Sequence, residues 1–309
     1  MTSIFENTKS KVTVHILHDD TLTEDNRKKF IRTAEKYSQG LELHDVTEHK
    51  KNIGAEIEKL LGKLTVATLF RLIIPDILKV NKVIYLDCDV LVCLDILELW
   101  KIDTEGYHMA ASLDNNTWLK SRLSSWRVRC FLNGYNSHSY VNAGVLLMNL
   151  AEIRKDKDFF STAIKWLCTH IHIANCFDQD ALNSIFTGSI KIIDNKFNAQ
   201  MNEPNALASV TEADKIIHFA GKDKAWEMSG ESLKALYWKF YLLSTWGESI
   251  SREKLIDSIS YYTRPIAPEC RLFSRKTRQI FDVIPEAISS IKLILRDLYY
   301  RIKYRLTRR

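Results

Sequence analysis

Residues 82–87, Lys-Val-Ile-Tyr-Leu-Asp, constrain the fold more than any other segment of the chain. Four consecutive apolar or aromatic side chains are typical of a strand covered on both faces, as in a parallel sheet flanked by helices. The strand ends in Asp87, and Asp89 follows two residues later. Open α/β sheets bind ligands beyond the carboxyl ends of their strands, so this pair of acids stands where a site is expected.

The rest of the chain alternates between hydrophobic patterns typical of strands and patterns typical of helices. Strands are predicted at 12–17, 41–46, 82–87, 108–113, 141–149, 190–193 and 215–219. Helices are predicted at 21–38, 66–78 (with Pro75 bending or ending it), 151–170, 178–186 and 232–246. Such alternation predicts an α/β fold with a mixed, mostly parallel sheet.

The length of 309 residues suits one large α/β domain, and the composition changes near residue 263, where prolines become frequent. We therefore expect a domain at 1–263 and a basic tail at 264–309. From Arg271 onward there are eleven Lys or Arg and three acids, a net charge of +8. The whole chain carries +6, so the remainder is slightly acidic. Nucleic acid is not an expected partner, because the positive charge is not spread over the predicted domain.

The tail has the pattern of an amphipathic helix. Its apolar residues recur at steps of three and four, and the basic residues fall largely off that stripe; the apolar ones are Ile284, Ile288, Ile291, Leu295, Leu298, Ile302 and Leu306. Two interpretations stay open. The tail either lies on an anionic membrane surface or packs its apolar face on the domain.

The protein is expected to be cytoplasmic. Peripheral attachment to the inner face of the plasma membrane, through residues 271–309, is a second possibility. The first residues lack the basic and apolar regions of a signal peptide. The best candidate for a membrane span, 83–100, is interrupted by acidic residues. None of the six cysteines has CxxC spacing, so neither a zinc site nor a disulfide framework is expected from them.

Asp-x-Asp occurs three times, and the contexts differ. The pair Asp156 and Asp158 lies in a charged stretch typical of a solvated helix start. The pair at 178 and 180 opens a predicted helix, where acids favour the helix dipole. Only 87 and 89 follow a buried-type strand, where two carboxylates on one side of an extended chain suit a hard divalent cation. The alternative is a strand-end pair satisfied by backbone amides.

His218 ends the predicted strand at 215–219, and Gly221 and Lys224 follow it. A histidine at a strand end is suited to be a third metal ligand. The glycine would admit a phosphate close to the backbone, and the lysine would supply a charge for it. A lone histidine is more often structural, and the earlier Asp-x-Asp is what favours the metal interpretation.

Six short blocks follow one another along the chain: Phe70-Arg71-Leu72, Val83 to Asp89, Ala111 to Asp114, Val141-Asn142-Ala-Gly144 to Asn149, Phe177-Asp178-Gln179-Asp180 to Asn183, and His218-Phe-Ala-Gly221 with Lys224-Ala-Trp226. In this order, and over roughly residues 1–250, they resemble glycosyltransferase family 8, the retaining nucleotide-sugar transferases. Any single block is weak, whereas six in order are specific.

The resemblance implies a single Rossmann-like domain of the nucleotide-diphospho-sugar transferase (GT-A) type. It also implies a UDP-hexose donor, glucose or galactose, and a saccharide or lipid-linked glycan acceptor. By position, Asp87, Asp89 and His218 would bind Mn2+, with Mg2+ as the alternative ion. Donor-binding residues would be Arg71, Asp114, Asn142, Gly221 and Lys224, and catalytic residues would be Gln179 and Asp178. Since Gln179 is a poor nucleophile, front-face attack is favoured over a covalent intermediate.

Two departures from the family pattern matter. A proline in the last block is Ala225 here, and Ser3 to Thr8 resembles the end of the helix that follows the family's first strand. The first strand is therefore expected to be missing: either the start codon is misplaced, or the chain is a fragment in which donor binding is impaired. Three interpretations compete: a metal-dependent sugar transferase, a binding-only pseudoenzyme, and a nucleotide-sugar hydrolase. Acceptor choice is expected from 115–140, which contains Trp118, Trp126, Phe131 and Tyr135.

Overall fold

A computed structural model describes residues 1–53, 66–115, 125–170, 172–201, 214–220, 224, 226 and 232–249. The predicted boundary near 263, the tail at 264–309, Gly221 and Trp118 lie outside these residues. Nine strands are described: β1 (Thr13–His18), β2 (Gly40–Asp45), β3 (Lys82–Leu86), β4 (Val90–Val92), β5 (Met109–Leu113), β6 (Val141–Asn149), β7 (Ile190–Ile193), β8 (Ala199–Gln200) and β9 (Ile216–His218).

The described helices alternate with these strands. They are α1 (Thr2–Asn7), α2 (Glu24–Lys36), α3 (Thr47–Ile53), α4 (Ile74–Ile77), α5 (Leu97–Trp100), α6 (Ser125–Leu132), α7 (Leu150–Ile153), α8 (Phe159–His170), α9 (Asp178–Ile185) and α10 (Ser232–Leu243). Three short 3-10 helices add Val66–Ile73, Asn195–Asn198 and Gly247–Ser249. None of the helices in the described part of the chain is both long and apolar enough to cross a membrane.

The strands form three sheets, and the α/β prediction is confirmed. The largest sheet has the order β3-β6-β5-β7, a second has β4-β9-β8, and β1 pairs with β2. The expected excess of parallel pairs is not found among the described strands, because β6 runs antiparallel to both β3 and β5. Three pairings are parallel and three are antiparallel. Each of the two larger sheets contains pairings of both kinds.

Two apolar clusters hold the sheets and helices together. One cluster packs β6 residues such as Leu146 and Met148 against Leu69, Leu72 and the helices α8 and α9. The other packs Leu147, whose side chain points to the opposite face of the sheet, with Phe5 of α1 and Leu99 of α5. β6 is fully buried over Val141–Met148, as an inner strand covered on both faces requires.

β3 differs from the prediction for 82–87, since all five of its residues are only half-buried and it pairs with one strand among those described. β1 likewise has one described partner, β2. Side chains of both strands pack on the same two apolar clusters: Leu17 and Tyr85 on the first, Val14 and Ile84 on the second. The expectation of a missing strand stays a prediction.

Three helix predictions need local correction. α2 begins at Glu24 rather than at the predicted residue 21, and it is capped by Thr23, whose hydroxyl accepts from the Asn26 amide. The segment 66–78 is a 3-10 helix followed by α4, and Pro75 opens α4, because a proline needs no N–H in a first turn. The segment 151–170 is divided into α7 and α8 by Asp158, which has a positive φ of 63°.

Candidate active site

The loop between β3 and β4 carries Asp87 and Asp89 to the end of β9, where His218 lies. The main-chain amide of Asp87 donates to the Gly144 carbonyl at 2.8 Å, and the Phe219 amide donates to the Asp89 carbonyl at 3.0 Å. These bonds fix the loop between β6 and β9. As a result, His218 Nε2 lies 3.3 Å from Asp89 Oδ1 and 3.7 Å from Asp87 Oδ2.

Each carboxylate keeps one oxygen for a cationic side chain and turns the other toward His218. Arg71 Nη2 lies 2.8 Å from Asp87 Oδ1, and Tyr85 Oη donates to that oxygen at 2.7 Å. Lys224 Nζ contacts Asp89 Oδ2. Burial, the largest influence, raises the pKa of Asp89, but the contacts with His218 and Lys224 outweigh it and lower that pKa to about 2.

The orientation of His218 is set by Asn198. His218 Nδ1 lies 2.9 Å from Asn198 Oδ1, and the Asn198 amide nitrogen donates to Asn142 Oδ1 at 2.9 Å. Because a carboxamide oxygen only accepts, Nδ1 is assigned the hydrogen of this bond. Nε2 therefore faces the two carboxylate oxygens.

This donor set fits a divalent cation. The ligand atoms of Asp87, Asp89 and His218 all lie within 4.8 Å of one another. Asp89 Oδ1 is buried and makes no hydrogen bond in the described structure. Two carboxylate oxygens and one ring nitrogen that converge in this way are suited to hold a positive ion between them. Two carboxylates with one imidazole suit Mn2+ or Mg2+ better than a thiophilic metal.

Gly144 explains how the imidazole reaches this position. A Cβ at residue 144 would lie 2.1 Å from His218 Cε1, far inside van der Waals contact. β6 therefore needs glycine here because the ring packs directly on its backbone.

A buried polar network lies beside the cation cluster. Asp114 Oδ2 accepts from Asn142 Nδ2 at 3.2 Å and from Gln179 Nε2 at 3.0 Å. Gln179 Nε2 also donates to Tyr140 Oη at 2.9 Å, and Gln179 Oε1 accepts from the Ala143 amide at 2.9 Å. The structure thus brings the predicted residues Asp114, Asn142 and Gln179 together, and the hydrogen bonds fix the Gln179 amide in one orientation.

Arg71 connects this network with the carboxylates. Its Nε lies 2.8 Å from Asp178 Oδ2, its Nη2 contacts Asp87, and its guanidinium lies over the Tyr85 ring at 4.6 Å. Burial, the largest influence, raises the pKa of Asp178 and Arg71 lowers it; with a further rise from Asp87, the pKa stands at about 7. Phe177, which precedes α9, has a positive φ of 37°, a strained conformation often found beside functional residues.

Asp180, which was expected to favour the helix dipole, lies in the first turn of α9 and also accepts hydrogen bonds from the chain beside the site. Its Oδ1 accepts from the Tyr135 and Tyr140 hydroxyls, each at 2.7 Å. Its Oδ2 accepts from the amides of Asn175 and Cys176. A buried carboxylate with four donors is well satisfied, so it orders the chain that presents Asp178 and Gln179.

Sequence reasoning missed Asn198 and Tyr85. Asn198 is fully buried and follows β7 at its carboxyl end, within the polar run 194–198. Its position after the carboxyl end of a predicted strand is the sequence feature that could have indicated a functional residue. Among the aromatic residues expected at the acceptor side, Tyr135 is buried whereas the Phe131 side chain is 81% exposed.

An acidic and histidine cluster at the edge of mixed sheets, beside a buried amide network, is typical of nucleotide-sugar transferases with the GT-A fold. The sequence model described as "Glycosyl transferase family 8" matches residues 1–230. The chain belongs to this family and is a glycosyltransferase. Its resemblance to the family in six ordered blocks is thereby confirmed.

Similar proteins support the same assignment. A putative glycosyltransferase of Haemophilus influenzae is 31% identical over 230 residues, which cover 72% of this chain and 67% of that protein. General stress protein A of Bacillus subtilis is 27% identical, covering 67% and 74%. The galactosyltransferase LgtC, solved with donor and acceptor sugar analogues, shares the fold with a TM-score of 0.64 and 21% identity, over 81% of this chain and 91% of that one.

Proposed function

We propose that this glycosyltransferase moves glucose or galactose from a UDP-sugar to a saccharide or lipid-linked glycan, with retention of configuration and with Mn2+ or Mg2+. The observation that carries the proposal is the convergence of Asp87, Asp89 and His218 around the unsatisfied Asp89 Oδ1. The galactosyltransferase activity named for LgtC supports a hexose as the transferred sugar.

The cation would be held by Asp87 Oδ2, Asp89 Oδ1 and His218 Nε2, the atoms that already face one another. Bound there, a divalent ion supplies Lewis-acid stabilisation of the charge on the departing diphosphate. Lys224 contacts Asp89 Oδ2 in this structure and would exchange that partner for a phosphate oxygen. Gly221, outside the described residues, is proposed to lie against the same diphosphate.

Arg71, Asp114 and Asn142 are proposed to bind the donor sugar. Asp114 accepts one hydrogen bond from the Asn142 amide and one from the Gln179 amide, and these bonds fix its orientation. A carboxylate is suited to accept a hydrogen bond from a sugar hydroxyl. Arg71 lies between Asp87 and Asp178 and pairs with both carboxylates.

Front-face attack is the mechanism that the geometry supports best. Gln179 is a poor nucleophile, and its amide is held by Ala143, Asp114 and Tyr140. Asp178 is paired with Arg71 and buried, which makes it a poor nucleophile for a covalent intermediate. We propose that the Gln179 oxygen and the Asp178 carboxylate stabilise the positively charged sugar from one face while the acceptor enters beside the leaving group.

The acceptor is proposed to contact Phe131, which lies on α6 and is largely exposed. An exposed aromatic ring suits the apolar face of a sugar. Phe131→Ala should raise the KM for the acceptor and leave the KM for the UDP-sugar unchanged. An unchanged acceptor KM would place the acceptor elsewhere.

The release of UDP from UDP-glucose and UDP-galactose, measured with and without acceptor saccharides, separates the competing functions. A transferase releases UDP in the presence of Mn2+ only when a suitable acceptor is added. A hydrolase releases UDP without acceptor, and a binding-only pseudoenzyme releases none. The intact cation cluster and amide network favour the transferase over the pseudoenzyme.

We further propose that residues 271–309 attach the enzyme to the cytoplasmic face of a membrane, since this stretch carries a net charge of +8. The full chain should sediment with vesicles containing anionic lipid, and salt should release it. Deletion of 271–309 should prevent sedimentation and spare transfer to a soluble acceptor. Loss of folding in the deletion variant, or no sedimentation of the full chain at low salt, would favour packing of the tail on the domain.

A further inference from the structure

A second cluster of metal-ligating side chains lies on the small sheet formed by β1 and β2. The two strands are parallel, and their register places His15 beside Glu42 and Leu17 beside His44. Residues two apart on a strand share a face, so His15, Glu42 and His44 project on one side of the sheet. His15 and His44 are mostly buried, whereas the Glu42 side chain is about half exposed.

The three ligand atoms have the spacing of a single small ion's coordination shell. His15 Nδ1 lies 3.0 Å from His44 Nε2 and 3.3 Å from Glu42 Oε2, and His44 Nε2 lies 3.6 Å from Glu42 Oε2. A tetrahedral zinc site with bonds of about 2.0–2.2 Å requires ligand atoms roughly 3.3–3.6 Å apart. A point about 2.1 Å from all three atoms lies about 0.8 Å off their plane, near the value of about 0.7 Å for an ideal tetrahedron.

The donor chemistry distinguishes this cluster from the one at Asp87. Two imidazoles and one carboxylate favour a late first-row ion, whereas two carboxylates and one imidazole favour a harder one.

We propose that His15, Glu42 and His44 bind one Zn2+ ion, with the fourth position open to solvent. The ion would join β1 to β2 through side chains, in addition to the backbone ladder. A two-stranded sheet is marginal by itself, so such a link would stabilise this part of the fold. The proposal is independent of the sugar-transfer reaction, because no residue of the cluster belongs to the site around Asp87.

Zinc binding to the full chain tests the proposal, and a variant that carries both Asp87→Asn and Asp89→Asn separates the two clusters. Calorimetric titration of this variant with ZnCl2 should show one equivalent bound. Adding His44→Gln should abolish that binding at micromolar zinc, whereas adding His138→Gln, which removes an exposed imidazole elsewhere, should leave it intact. Circular dichroism reports whether each variant folds.

Two further measurements keep the test decisive if His44→Gln does not fold. Glu42→Gln alters a half-exposed side chain and should weaken zinc binding at least about tenfold, since it removes the charged ligand. Co2+ added to the Asp87→Asn, Asp89→Asn variant should give the intense visible absorption of tetrahedral coordination. Absence of zinc binding in that variant, or zinc binding by its His44→Gln derivative equal to that of the parent, would show that the three residues form a hydrogen-bonded group without metal.

Discussion

The two metal-ligand clusters of this molecule differ in what surrounds them. Asp87, Asp89 and His218 lie where β3, β6 and β9 meet, and Arg71 and Lys224 balance their charge. His15, Glu42 and His44 lie on a two-stranded sheet, where the exposed Glu42 contacts the two imidazoles. The first arrangement places two carboxylates against two cationic side chains, as suits a site for a hard cation and a diphosphate. The second combines two imidazoles with one carboxylate, which suits a structural ion of a late first-row metal.

Removal of a carboxylate from the first cluster should have the largest effect. Asp87→Asn or Asp89→Asn removes a charged ligand, and Lewis-acid stabilisation of several kcal/mol corresponds to a loss of roughly a hundred- to a thousandfold in Mn2+-dependent kcat/KM. UDP release with acceptor measures it. The matched control is Asp158→Asn, an exposed residue of another Asp-x-Asp pair at a positive φ that asparagine tolerates. Full activity in either variant of the first pair would contradict the assignment.

Gly144→Ala should act on the same cluster through sterics alone. The added methyl would overlap the His218 ring, which must then move from its place opposite the carboxylates. We expect Mn2+ affinity to fall by about tenfold or more, and overpacking to lower stability by about 1–3 kcal/mol.

A double-mutant cycle with His218→Ala tests that cause. If the methyl acts by displacing the imidazole, Gly144→Ala adds no further loss of Mn2+ affinity in the His218→Ala background. Additive losses would show that the glycine supports the site in another way.

Asn198→Ala should weaken the first cluster without touching a ligand. The variant removes the acceptor that holds His218 Nδ1, and loss of such a supporting partner typically weakens metal binding by about 10–100-fold. Asn198→Asp keeps an acceptor oxygen and should recover part of the Mn2+ affinity. Equal affinity in Asn198→Ala and the parent would mean that the ring is held by packing alone.

The sequence was most informative where residues act locally. The strand ending at Asp87 and the order of the family blocks identified Asp87, Asp89, His218 and Gln179, and the structure brings them into neighbouring clusters. The signal at Asp87 is local, because the end of a strand determines where the side chains that follow it can lie.

What the sequence could not indicate depends on distant pairing. The contact of Gly144 with His218 joins residues 74 positions apart and exists only because β6 runs beside the loop after β3. The antiparallel placement of β6 also overturned the expected excess of parallel pairs, because an apolar strand has the same pattern in either direction. The second cluster depends likewise on the register of β1 against β2.

Zinc binding should have the smallest of these effects, and it should change the stability of the fold rather than the reaction. An ion that binds only the folded state at a hundred times its Kd stabilises by about 2.7 kcal/mol, which corresponds to several degrees in Tm for a domain of this size. With Mn2+ kept saturating to occupy the first cluster, added Zn2+ should raise the Tm of the parent chain and of His138→Gln. His44→Gln should show no zinc-dependent shift, because the two remaining donors cannot compete with water. An equal shift in all three proteins would mean that zinc binds outside the β1–β2 sheet.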